Sequence, residues 1–477
     1  MDDLDTRLKL ACKLAGTNYL PASDSGNDPT GFLTELKKLQ SQINTIQSQY
    51  RRRFNVIRSS TAALPNEILI IIFRLVCSTV EPKNAGPTGC PQIILGSVSS
   101  HWRDIVVDMP ELWETFSLKI SQENLQTTIP LLKVYSARRR QMPSSMQLDL
   151  RGLDYNSPEV LESLTFLEGN IFSGDTPKLL HSMDIHCPPP YWLSTIVSQC
   201  SNLHELSLSW TPQNTGTYIW SRRLPTSIPF YSLRILRINR VPIMLCFDLL
   251  LSCPNLTEFT CTTPLVHARN DPDGWMMMNR DQEVTFPRLE RLTWTPTRKY
   301  WDKYFLEFFR FPSLRYFAWP IWPGQDSKNL FDSFVAALPP SLESFEIIAS
   351  PLIAWHRIES ILRQIPRITQ LILTDVPSSA HSRFLQMLQY PTFLPSLKAC
   401  KWIQKVKGEV DHDPQWISHL HGMLQQRKFY GTEEFRYEMV NVEACWRAED
   451  REMISRLKGD GRFKVEIVCN NSILNLR

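Results

Sequence analysis

The sequence predicts an α/β protein in three parts: an N-terminal amphipathic helix, a small all-α module, and a long array of strand-plus-helix repeats. Three observations carry this. Apolar residues fall at alternating four- and three-residue steps from Phe32 to Ile57. Two apolar helical stretches around a Gly/Pro loop occupy Leu64 to Trp113. From Leu180 to Trp402 one apolar triplet, with members at +3 and +5, returns nine times. The divisions that follow are a flexible segment 1–31, a helix 32–58, a module 62–116, a transition with atypical repeats 117–176, the array 177–405 and a terminal cap 406–477.

Composition bounds the answer. A chain of 477 residues, 43% apolar, can build a large core and two or three domains. Its 52 basic and 48 acidic residues nearly cancel, which argues against nucleic acid or an anionic membrane as partner. The eleven cysteines contain no C-x-x-C pair, so free thiols in a reducing compartment are expected. The start is acidic and then amphipathic, the wrong charge order for a secretory signal. The strongest apolar run, Ile68 to Phe73, is far short of the roughly 20 residues that span a bilayer. The expectation is a soluble intracellular protein, cytoplasmic, nuclear or both.

In the first helix the apolar positions are Phe32, Leu36, Leu39, Ile43, Ile46, Tyr50 and Ile57, interrupted at Arg53. This is the spacing of a coiled-coil seam, which would make a homodimer through 32–57. One amphipathic helix lying on the rest of the fold needs the same stripe. Arg51, Arg52 and Arg53 read as a solvated helix face.

The module starts at Leu64-Pro65-Asn66-Glu67. Pro65 suits a first helical turn, where its missing N–H is not needed, and Glu67 complements the positive helix end. Ile68, Leu69, Ile71, Ile72, Phe73, Leu75 and Val76 then make a helix apolar on more than one face. Such a helix is buried on both sides, by a partner or by its own chain. After the breaker EPKNAGPTGCP, a second helix is expected to carry Ile94, Leu95, Val98, Trp102, Ile105 and Val106 on one face, ending at Pro110-Glu-Leu-Trp113.

This stretch resembles an F-box, on Leu64, Pro65, Glu67, Ile68, Leu69, Ile72, Phe73, Leu95, Val98, Trp102 and Arg103. The resemblance covers about 50 of 477 residues. Ser99 stands where the family usually has Cys, and the loop from Glu81 to Pro91 is longer than usual. The layout also looks like that of the large fungal F-box families. The resemblance implies docking on the Skp-type adaptor of a cullin–RING ubiquitin ligase. Leu64, Pro65, Ile68, Leu69, Ile72, Leu95, Val98 and Trp102 would be the anchors.

The nine triplets begin at Leu180, Leu203, Leu233, Leu256, Leu289, Leu314, Leu342, Ile368 and Leu397, with starts 23 to 33 residues apart. Recurrence at that period is similar to leucine-rich repeats. The second and third members lie two apart, so they share one strand face and point inward. Apolar stretches between them read as helices, and neighbours stacked in a solenoid would share one core. Trp113-Phe116-Leu118 and Leu148-Leu150 are candidate early members. The asparagine usually found three after the last apolar residue is absent.

The residues flanking and between the inward positions would line the concave side and hold a target protein: Glu205, Arg237, Glu258, Arg291, Tyr316, Glu346 and Lys401. Their mixed sign fits a protein surface better than a phosphate backbone. A long insertion around Trp275 and Met276 to Met278 is either a contact patch or core filler.

No G-x-S-x-G, H-E-x-x-H, Walker loop or G-x-G-x-x-G occurs. His412, His419 and His421 lack a zinc spacing, and Asp271-Pro-Asp273-Gly274 lacks the other ligands of a calcium loop. Cys90, expected in an exposed loop, has no nearby base. The expected function is therefore non-enzymatic, without cofactor or metal: a substrate-recognition adaptor of an SCF-type ubiquitin ligase. The alternative is a leucine-rich-repeat scaffold unconnected to ubiquitin.

Overall fold

In a computed structural model the described residues are 29–58, 64–79, 90–139, 141–155, 157–211, 229–265, 283–297, 301–321, 328–349, 355–376, 378–403, 416–429, 435–440, 452, 463–469 and 472–473. The chain is mixed α/β and divides into two compact units, 1–81 with 88–112, and 82–87 with 113–477. The insertion holding Trp275 and Met276 to Met278, the loop 80–89 and the segment around His412 lie outside the described residues.

The first unit is helical. Helix α1 (Pro29–Arg58) has Pro at its start and no glycine or proline after Gly31, and it is rich in Leu, Lys and Gln. Helix α2 (Asn66–Thr79) begins where the Pro65 carbonyl accepts the Ile68 and Leu69 N–H groups, at 3.1 and 3.2 Å. The expected second helix is in fact two, α3 (Pro91–Val98) and α4 (Ser100–Asp108). Ser99 is extended between them, and its Oγ accepts the Trp102 N–H at 3.1 Å, an N-cap that starts a new helix. The break turns Ile94 and Val98 away from the face of Ile105 and Val106: the first two are exposed and the last two buried. Cys90 is buried as well, not exposed.

The second unit is built on one 14-stranded sheet. Its strands are β1 (Thr115–Ser121), β2 (Ser144–Gly152), β3 (Leu180–His186), β4 (Glu205–Ser209), β5 (Ile235–Asn239), β6 (Glu258–Thr262), β8 (Arg291–Trp294), β10 (Tyr316–Ile321), β11 (Ser344–Ala349), β12 (Gln370–Thr374), β13 (Ala399–Ile403), β14 (Phe435–Val440), β15 (Phe463–Cys469) and β16 (Ser472–Ile473). They pair in chain order. Every pairing is parallel except the last. Strands β7 (Val284–Thr285) and β9 (Phe309–Arg310) form a separate two-stranded pair.

Parallel neighbours need a crossover, and helices supply most of them. They are α5 (Leu125–Arg138), α6 (Pro158–Ile171), α7 (Thr176–Leu179), α8 (Trp192–Gln199), α9 (Ile243–Ser252), α10 (Trp301–Phe308), α11 (Lys328–Ala336), α12 (Trp355–Leu362), α13 (Ser378–Leu388) and α14 (Trp416–Phe429). The transition segment 117–176 thus contributes β2 and the body of β1, in register with the array: Phe116 pairs with Met146, and Met146 with Met183.

All nine triplets are buried, and their second members stand in one row across the sheet. Leu206, Leu236, Phe259, Leu292, Phe317, Phe345, Leu371 and Cys400 are successive cross-strand partners. Helix side chains close over the inward face: Phe305 of α10 stacks on Trp294 at 4.1 Å, and Phe331 of α11 lies 4.7 Å from Trp319. Such aromatic pairs contribute about 0.5–1.5 kcal/mol beyond the area they bury. Cys187, Cys200, Cys246, Cys253, Cys261 and Cys400 are buried, and burial pushes the Cys200 thiol up to about 12.

Where the strands end, the chain turns through left-handed backbone at Cys187, Arg240, Thr263 and Asp375, with φ of 58°, 55°, 46° and 53°. Each lies two residues past its last inward side chain. At three of them the N–H donates to the carbonyl that closes the next strand: Cys187 to Ser209, Arg240 to Thr262 and Asp375 to Ile403. A recurring local turn thus does the work that the missing asparagines would have done.

Candidate interaction site

Two surfaces, one in each unit, hold the residues singled out by the sequence. The helical unit has a core of Leu69, Phe73, Cys90, Leu95, Ile105, Val106, Met109 and Leu112. The Gln92 Nε2 donates to the Leu112 carbonyl at 2.6 Å, and the Arg103 Nε donates to the Gly96 carbonyl at 2.9 Å. These bonds fix α3 against α4 and the segment after it.

That core leaves apolar side chains outside. On α2, Ile68, Ile71 and Leu75 are exposed on the face away from Leu69 and Phe73, Ile71 by 52% and Leu75 by 59%, and Ile72 is exposed at its border. On α3, Ile93, Ile94 and Val98 are exposed, Ile94 by 49% and Val98 by 54%. Seven branched aliphatic residues are thus held open to water on two short helices.

The anchors expected from sequence divide accordingly. Pro65, Ile68, Ile72 and Val98 are exposed, Leu64 is half-buried, and Trp102 is half-buried against Phe73. Leu69 and Leu95 are buried in the interior of the unit. Ile71, Ile93 and Ile94 are surface residues absent from the expected anchors. Placing each residue on a helical wheel against the buried pair Leu69 and Phe73 would have found Ile71.

The second surface is the sheet face opposite the helices. Six of the seven expected target-binding residues form one connected chain across it. Arg237 of β5 bonds Glu205 of β4 on one side and Glu258 of β6 on the other, the latter at 2.9 Å. Glu258 also faces Arg291 of β8 at 3.6 Å, and the Arg291 guanidinium lies over the Tyr316 ring, 4.3 Å from its centre. The Tyr316 hydroxyl donates to Glu346, whose other oxygen accepts from Thr374 Oγ1 at 3.0 Å. Burial, then the Glu346 carboxylate, pushes the Tyr316 hydroxyl well above its usual range. Lys401, the seventh, pairs separately with Glu438 of β14 at 2.8 Å.

Sequence reasoning missed the continuation of this face. Towards the amino end, Gln147 donates to Asp184 at 3.2 Å, and His186 bonds Ser209. Towards the other end, Ile348, Ile372 and Ile403 sit half-exposed beside Glu346 and Lys401. Gln147, Asp184 and Ile372 share a cross-strand row with Arg237, Glu346 and Lys401, and the others stand one outward position further along, an alternation that would have found them. Among the described residues no group of three or more His, Cys, Asp or Glu could hold a metal ion, and no helix is long and apolar enough to cross a membrane.

No protein-family model matches the chain, and no curated protein matches it.

Proposed function

We propose that this chain is a substrate-recognition adaptor of an SCF-type cullin–RING ubiquitin ligase. The helical unit is read as an F-box that docks on a Skp-type adaptor and, through it, on a cullin. The parallel sheet with its crossover helices is read as a leucine-rich-repeat solenoid whose outward face holds a target protein. The observation that carries the reading is the open aliphatic surface of α2 and α3, in the stretch whose residues resemble an F-box. Its own core is complete without these side chains, so a second protein is needed to cover them. The chain would orient its target and leave ubiquitin transfer to other subunits, contributing effective concentration and geometry.

The face of β4 to β14 supports a protein as target. Its charges alternate in sign and satisfy each other, which disfavours a polyanion. The half-exposed Ile348, Ile372 and Ile403 offer the apolar contact that protein interfaces place at their centres.

The test is co-purification of the full chain with a Skp-type adaptor, for wild type and for Leu64→Ala/Pro65→Ala. A stoichiometric complex that the double variant weakens is expected. Failure of the wild-type chain to form any complex leaves the repeat-scaffold reading in its place.

A further inference from the structure

Helix α1 carries a second unused surface, distinct in chemistry from that of α2 and α3. It is 30 residues long, about 45 Å at 1.5 Å per residue. Among the described elements none packs broadly along it. Its apolar positions Leu36, Leu39, Ile43 and Ile46 recur at steps of three, four and three, so they lie on one narrow line. The line is open: Leu36 is 38% and Ile46 45% exposed, while Leu39 and Ile43 are half-buried.

The flanks of that line say what covers it. In the heptad frame set by these four residues, the two positions bordering the seam are held by Gln40, Gln42, Gln47 and Gln49, with Glu35 at the amino end. Each glutamine is a neutral amide, both donor and acceptor, so it can bond the same side chain of an identical helix. The described lysines, Lys37 and Lys38, stand exposed at positions that turn away from the seam. A second copy in parallel register sets Glu35 against Gln40 and Gln42 against Gln47, and so meets no like charge at the border, where like charges would disfavour it. A helix lying in a membrane surface wants a broad apolar face with bulky residues, and a two-in-seven seam bordered by glutamine is too narrow for that.

We propose that the protein is a homodimer held by α1, with the seam of Leu36, Leu39, Ile43 and Ile46 packed against the same seam of a second copy. This stands independently of the adaptor reading. In a dimer each ligase-docking surface and each target face would be present twice on one particle.

Sedimentation equilibrium of the full chain measures the mass directly. The expected mass is twice the 55.4 kDa of one chain. Leu39→Lys/Ile43→Lys is expected to return the mass to one chain, and Lys38→Glu, away from the seam, to leave it doubled. Ile71→Asp/Ile94→Asp is expected to leave it doubled too, which separates this seam from the α2 and α3 surface. Circular dichroism of the seam variant checks that α1 and the rest remain folded. A monomeric wild type, a dimer that survives the seam variant, or a dimer abolished only by Ile71→Asp/Ile94→Asp overturns the proposal. So does a wild-type chain that is monomeric in solution and binds phosphatidylserine vesicles through α1.

Discussion

The ring of Phe73 on α2 lies 4.9 Å from the ring of Trp102 on α4, tilted by 59°. This contact sorts the helical unit into an inside and an outside. Phe73 is fully buried, and the helix face that carries it is committed to the core. The opposite face, with Ile68, Ile71 and Leu75, stays open to water.

Phe73→Ala removes the buried ring and is expected to destabilise the unit by about 3–5 kcal/mol, through lost burial and a cavity. Ile71→Ser removes nothing from the core and is expected to stay within about 0.5 kcal/mol. Hydrogen exchange by mass spectrometry across residues 66–108 separates them. Protection should collapse in the first variant and persist in the second.

The left-handed turns give a second contrast. Thr263 is exposed and β-branched, yet sits at φ of 46°, where such a side chain is strained. Thr263→Gly is expected to raise stability by about 0.5–1 kcal/mol, even though it gives up the 2.8 Å bond from Thr263 Oγ1 to Asn239. Urea denaturation reads this as a higher midpoint at unchanged slope. A lower midpoint would mean that the side-chain bond outweighs the backbone strain.

Arg427 of α14 is buried and donates to the Phe393, Leu394 and Leu397 carbonyls at 3.1 to 3.2 Å. Burial pulls its guanidinium down to about 10, still charged at neutral pH. Arg427→Met keeps the stem but leaves the Phe393 and Leu397 carbonyls short of a donor, while the Leu394 carbonyl keeps the Leu397 N–H at 3.1 Å, and a loss of about 2–4 kcal/mol is expected in the same denaturation experiment. Retained stability would show that those carbonyls have other donors.

Asp149 supplies a pH dependence. Burial would raise its carboxyl, but hydrogen bonds from the Arg151 side chain and backbone and the Arg151 charge outweigh it, so its pKa is lowered. A carboxylate lowered in the folded state stabilises above its unfolded value, near 3.9, and loses that contribution as pH falls through the folded value. The stability gap between wild type and Asp149→Asn should therefore shrink as pH drops from about 5 towards 2. With Arg151 about half exposed, the gap at neutral pH is expected below about 1 kcal/mol.

Much of the parallel sheet was legible because the signal is local. A triplet such as Leu289, Leu292 and Trp294 needs only its own spacing to declare a strand and its inward face. What escaped depends on contacts the spacing does not contain. Ser99 splits one apparent helix in two because its hydroxyl caps a new turn, while the apolar spacing runs straight through it. Strand β2 was read on Leu148 and Leu150, but cross-strand pairing sets Met146 and Leu148 beside Met183 and Ile185, a register its own spacing does not declare. In the sheet face, each of Glu205, Arg237 and Glu258 was placed correctly on the outward side. Their mutual pairing was not visible, since it requires knowing that their strands are adjacent. That Leu69 and Leu95 face the interior was not visible for a related reason: an apolar residue in a two-sided helix does not say which side is the core.

The central claim is that the open face of α2 and α3 docks on a Skp-type adaptor. The most direct measurement is the affinity of the full chain for that adaptor, wild type against Ile71→Asp and Ile94→Asp, with hydrogen exchange confirming that both variants remain folded. The account predicts a tight wild-type complex weakened by about 100-fold or more in each variant, roughly 2.7 kcal/mol. Unchanged affinity in both folded variants, or no binding by the wild-type chain, would contradict it.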